Sequence, residues 1–254
     1  MNKRTPPTPF QYKYLYTNSD KTIVRKDWAA LLPDMLPIRR GRRIYPSFQR
    51  IVGPLLVTVS LRFKSSGSNY EPAYSVENLA YECIERNQNF WWSRIGFDPE
   101  NPYWSIVAGD HREKHVKAFE SLKNKAVVPF NGPVTLDDIF NGYSKPIMDE
   151  GKLRYLIGFS TVGTPALVAA WAGEPEKAME YLEWACDRFY EDDEPLGTKA
   201  EFRKFHENLI QNPEILRSIA EKNLETAAGL IDPSVLAQAP YQDIVGVRYQ
   251  KLKQ

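Results

Sequence analysis

Two cysteines in 254 residues cannot build a disulfide framework, and both Cys83 and Cys186 fall on stretches that read as buried helix faces. That usage points to a reducing cytoplasm. No segment approaches the roughly 20 apolar residues that a bilayer-spanning helix needs. The opening MNKRTPPTPF has charge but no apolar run behind it, so no secretory signal is expected. The sequence also lacks a phosphate-binding glycine loop, a Gly-x-Ser-x-Gly elbow and a CxxC pair. GFSTVGTP (158–165) has the glycines of an anion loop without its lysine, so Thr164 reads instead as a helix cap.

Histidine is scarce: His111, His115 and His206 are the full set. His111 and His115 stand four apart, which places them on one helix face and could hold a metal, with His206 as a conceivable third ligand. Arg112 occupies the place where the zinc-protease motif needs glutamate. Two exposed helix residues beside Arg112 and Lys114 are the plainer reading, so no metal or other cofactor is expected.

What the chain has in quantity is apolar and aromatic residues, 43% and 13%, enough for a substantial core. Its charge is nearly balanced at +1 but unevenly placed. Residues 1–130 carry 20 Lys and Arg against 12 Asp and Glu, whereas residues 131–254 carry 13 against 20. Such an asymmetry suits halves that face different partners or each other, or chance variation on a solvated surface.

Residues 1–9 read as a proline-rich arm, and Phe10, Tyr12, Tyr14 and Tyr16 alternate as in a half-buried strand. A short helix over Lys26–Leu36, capped by Asp27 and disturbed by Pro33, comes next. Ile44–Val52 reads as a strand that Pro46 confines to an edge or bulge. Gly53-Pro54 marks a turn, and Leu55–Phe63 is the clearest strand, with Leu55, Val57, Val59, Leu61 and Phe63 on one face. After the polar loop SSGSN, Ser75 is expected to cap a helix bearing Val76, Leu79, Ala80, Cys83 and Ile84. Residues 90–97 and 103–108 read as a hairpin about DPENP, with FWW (90–92) and Trp104 as core aromatics. Asp110 and Glu113 then open a helix with Val116, Phe119 and Leu122 inward.

Asn131-Gly132-Pro133 is the best internal boundary, giving an α+β region with an antiparallel sheet over 1–130 and a mainly helical region packed on it over 131–254. In the second region Pro165 should open a helix that Gly173 ends, and Pro175 a second helix with Ala178, Leu182, Ala185 and Phe189 on one face. Thr198 and Glu201 form a capping box ahead of Phe202, Phe205 and Leu209. Asn212-Pro213 opens a helix facing inward through Ile215, Leu216, Ile219 and Ala220, and Asp232-Pro233 a short one. IVGVRY (244–249) is a strand-like patch in the tail.

Two charge clusters are candidates for partner contact. Arg39, Arg40, Arg42 and Arg43 surround Gly41 and suit a solvated loop, a protein contact, or anion and nucleic-acid binding. The modest basicity and the missing recognition signatures argue against nucleic acid. Glu191, Asp192, Asp193 and Glu194, with Asp187 one turn earlier, oppose a helix macrodipole, a cost tolerable if a basic partner faces them; a solvated loop is the plainer reading.

Gly173-Glu-Pro-Glu-Lys-Ala178 with Leu182 and Ala185 resembles the second helix of a tetratricopeptide repeat, but no second copy follows, so one helical hairpin is expected. The strand pair Tyr45–Phe63 (with Phe48-Gln49-Arg50 before Gly53), Tyr74-Ser75-Val76-Glu77 and the GTPALVAAWAG helix resemble bacterial polymorphic-toxin immunity proteins. That resemblance implies a cytoplasmic, non-catalytic protein that neutralises a toxin by covering a basic active site with an acidic surface. The expected partner is thus another protein, or a second copy of the chain, with no membrane involved. An enzyme or small-ligand binder with a cleft between sheet and helices is the alternative.

Overall fold

The computed structural model describes residues 15–39, 46–64, 66–80, 90–94, 105–149, 159–187, 198–230, 241–242 and 244. Its architecture is α+β: an antiparallel sheet in the N-terminal half, with helices concentrated in the C-terminal half. Strands β1 (Leu36–Arg39), β2 (Pro46–Val52), β3 (Leu55–Phe63), β4 (Asn69–Asn78) and β5 (Phe90–Arg94) lie in chain order. β6 (Ile106–Val107) joins β4 beyond β5, and β7 (Tyr241–Gln242) returns to pair with β2 in parallel.

The spine is β3, flanked by β2 and by a nine-residue register with β4 running from Leu55↔Asn78 to Phe63↔Tyr70. Leu55, Val57, Val59 and Leu61 are fully buried, as their alternation predicts. Gly53 makes the β2–β3 turn at φ +52°, where a side chain would also strike Ile244 and Trp171.

Several sequence expectations yield to this sheet. Ser75 caps no helix, because β4 runs through it. Tyr70, Tyr74 and Val76 alternate toward the core, and β-branched and aromatic residues suit a pleated surface. Cys83 and Ile84 of that expected helix lie outside the described residues. Pro46 does not leave its strand at an edge: β2 lies between β1 and β3, and proline is tolerated as the first residue. β5 and β6 both pair β4 and so do not form a hairpin with each other. DPENP and Trp104 lie outside the described residues, as do Phe10, Tyr12 and Tyr14. Tyr16 is not in a strand; its N–H donates to the Gly67 carbonyl at 2.7 Å.

The first helix, α1 (Asn18–Leu31), starts well before Lys26, because Thr17 and Asp20 form a capping box, and it stops before Pro33. Asp27 is therefore an interior residue, not a cap. α2 (His111–Lys125) follows Asp110, whose carboxylate accepts from Lys114 and makes no cap bond. Phe119 and Leu122 are inward, but Val116 is exposed. α3 (Leu136–Asp149) opens on a Thr135–Asp138 capping pair.

In α4 (Phe159–Trp171), Pro165 is internal and Thr164 is no cap. Thr164 is buried and its hydroxyl accepts from Asn78 Nδ2 at 3.3 Å, so the helix extends N-terminally past both. Its other end follows the expectation: Gly173 takes φ +82°, with Gly173 N–H on the Ala170 carbonyl and Glu174 N–H on that of Ala169. These two bonds make a Schellman motif. α5 (Pro175–Asp187) opens at Pro175 with Ala178, Leu182 and Ala185 buried, while Phe189 lies outside the described residues. α6 (Lys199–Gln211) carries the expected Thr198–Glu201 box and buries Phe202 and Leu209. α7 (Pro213–Leu230) buries Leu216 and Ala220 but exposes Ile215. Asp232-Pro233 and all of IVGVRY after Ile244 lie outside the described residues.

One hydrophobic cluster runs from Tyr16 through the sheet to Ala220 and Ile244. Arg50, fully buried on β2, donates to the carbonyls of Pro129 and Gly132 at 3.3 and 3.0 Å. Gly132 N–H in turn donates to Asp34, and Asn131 to the Leu31 carbonyl. Polar contacts therefore pin the Asn131-Gly132 segment to β2 and to the end of α1.

Candidate functional site

Helix α5 presents the best-defined charged surface. Ala178, Tyr181, Leu182, Ala185 and Cys186 are buried, which fixes its rotation. The opposite face then exposes Glu176, Glu180, Glu183 and Asp187 at steps of four, three and four, a single helical row. Helix α6 partly neutralises the row, since Arg203 pairs with Glu183 and Lys199 approaches Asp187 at 3.9 Å. Glu176 and Glu180 have no ion pair among the described residues. Beside the row, Phe140 stacks on Tyr181 at 4.3 Å and meets Trp184 edge-on at 5.2 Å.

Of the acidic residues expected to contact a partner, only Asp187 is described, and Lys199 offsets part of its unfavourable placement at a helix C-terminus. Glu191, Asp192, Asp193 and Glu194 lie outside the described residues, as do Arg40, Arg42 and Arg43. Arg39 is described only as the last residue of β1. Sequence reading missed Glu176, Glu180 and Glu183. Their spacing within PEKAMEYLEWACD, offset from the apolar stripe, was the available signal.

A second site is buried. His111 and His115 are not the two exposed residues that the sequence suggested, for His111 is only 5% exposed. Trp28 Nε1–H, which can only donate, reaches Tyr70 Oη at 3.0 Å. Tyr70 Oη lies 2.9 Å from His111 Nδ1, and His111 Nε2 lies 3.0 Å from Asp27 Oδ2. A carboxylate only accepts, so Nε2 carries the proton and Nδ1 accepts from the tyrosine hydroxyl. Every hydrogen then runs one way, from Trp28 through Tyr70 and His111 to Asp27. His115 Nδ1–H donates to the His111 carbonyl, and the two rings lie 4.6 Å apart.

Burial, opposed by the bond to Asp27, holds His111 below the usual imidazole range. Burial likewise pushes the Tyr70 hydroxyl far above the phenol range. Both ring nitrogens and the hydroxyl are committed to one another, an arrangement suited to joining α1, β4 and α2. His206 sits elsewhere, between helices: its Nδ1–H donates to the Phe202 carbonyl at 2.8 Å and its ring lies against Gly163. Among the described residues no three His, Cys, Asp or Glu side chains gather as a metal ion would require. No described helix is long and apolar enough to cross a membrane.

Searches against family models, curated proteins and solved structures return no match for this chain.

Proposed function

We propose that the protein is a non-catalytic binding module that acts in the cytoplasm and neutralises a toxin by occluding it. The observation that carries this reading is the acidic row on α5, with Glu176 and Glu180 uncompensated beside an aromatic edge. Carboxylates presented on a rigid helix complement a basic surface, speed encounter and disfavour acidic partners. In sequence, Glu191, Asp192, Asp193 and Glu194 follow Asp187 closely. A nucleic-acid-cleaving or anion-binding toxin domain, whose active surface is basic, is the partner such a face suits.

Co-expression tests the reading. The reading frame beside the gene is placed under separate control in a host that lacks both. Growth arrest by that product, relieved by the wild-type protein and by no unrelated acidic protein, is the expected result. A neighbouring product whose toxicity is unchanged by the protein would contradict it.

A further inference from the structure

The Trp28–Tyr70–His111–Asp27 chain joins three elements that are far apart in sequence, and its hydrogen bonding works with one protonation state only. If His111 gains a proton, both ring nitrogens become donors. Nε2–H keeps Asp27, but Nδ1–H now points at a Tyr70 oxygen that already accepts from Trp28. The tyrosine hydroxyl hydrogen has lost its acceptor, at a residue with no exposed surface. We propose that the α1–β4–α2 junction is a proton-operated clasp: a proton on His111 breaks the chain at Tyr70 and releases α1 while the sheet stays folded.

Within α1 the fully buried side chains are Val24 and Trp28, and Trp28 belongs to the clasp. Ala29 and Leu31 pack partly buried on the core and Asn131 holds the Leu31 carbonyl, so release is expected over the turns before Trp28. Ile23 is exposed on the same helix. The charged and titratable groups around His111 are Asp27 on α1, Arg112 and His115 on α2, and Tyr70 on β4; the Asp110–Lys114 pair stands at the start of α2. Asp27 draws a proton in, whereas burial, His115 and Arg112 keep it out, and burial is the largest influence. An opened junction returns His111 to water and to an ordinary value of about 6.5, so acid favours the open form.

Amide hydrogen exchange on the full chain, expressed as protection factors at pH 7.5 and 5.0, tests the clasp. The α1 amides should lose about tenfold or more of their protection at the lower pH, while β3 and β4 amides keep theirs. His111→Gln should abolish that pH dependence. Asp27→Asn, at a side chain 37% exposed, keeps an acceptor oxygen but removes the charge that favours a proton on His111 in the closed form, so α1 should lose more protection between pH 7.5 and 5.0 than in the wild type. This second variant decides the matter should His111→Gln fail to fold. Protection of α1 that is unchanged at pH 5.0, or that falls in step with β3, would overturn the proposal. So would a His111→Gln protein with wild-type pH dependence, or an Asp27→Asn protein whose α1 protection falls no more on acidification than the wild type's.

Discussion

His206 shows how one side chain ties the fold to pH. It is completely buried on α6, and desolvation, partly offset by its bond to Phe202, lowers its pKa to about 4. The unfolded chain holds the same ring near 6.5. Unfolding therefore takes up a proton between these values. The stability is fully present above about 6.5, declines as pH falls, and levels off below about 4. Between pH 7 and 5 the expected loss from His206 alone is about 2 kcal/mol. Denaturant titrations of the wild type and His206→Leu at both values check it. The variant should be less stable at pH 7 but should lose about 2 kcal/mol less than the wild type on acidification. Equal losses in the two proteins would show that His206 is not held neutral. Nothing in the primary sequence marks this residue as buried except its place on the Phe202–Leu209 stripe, four residues after Phe202. A histidine among Lys204, Phe205 and Glu207 reads as surface until the neighbouring helix is known.

At the level of elements, the close meeting of α4 and α6 depends on Gly163. A Cβ there would lie 1.9 Å from His206 Nε2, and the ring is buried on all sides. Alanine in a helix interior usually gains about 1 kcal/mol over glycine. Here overpacking should reverse the sign, and Gly163→Ala is expected to lose about 2 kcal/mol. The His206→Ala background should recover part of the loss, since the two sites are coupled. A Gly163→Ala protein as stable as the wild type by thermal unfolding would mean that the helices are further apart. The elements legible in the sequence were those with an unambiguous period or a terminal signal. β3 alternates without interruption, Thr198–Glu201 is a complete capping box, and Gly173-Glu-Pro175 holds both a left-handed stop and a proline start. Val76, Leu79 and Ala80 imitate a helical stripe and so conceal β4 in the sequence. The Tyr70–Tyr74–Val76 alternation that decides the matter is stabilised by pairing with β3, a contact invisible locally. The start of α1 is hidden in the sequence because Thr17-x-x-Asp20 lies in a polar stretch, before any apolar periodicity.

For the whole molecule, the uneven charge of the sequence was legible, and so was the antiparallel α+β class. The position of the acidic face was not. It depends on which side of α5 is buried against α4, and that selects Glu176, Glu180 and Glu183 alongside the expected Asp187. Like charges in a row repel one another until a basic surface faces them, and their attraction to such a surface weakens as salt screens it. The most direct measurement is the mass, by light scattering after size exclusion, of the protein recovered from its native lysate at low ionic strength. The wild type should elute as a stoichiometric complex that dissociates as salt is raised, and Glu176→Lys/Glu180→Lys should elute as the free protein with its fold intact. A wild type that is always monomeric, or a complex that survives the double charge reversal unchanged, would contradict the acidic face as the binding surface.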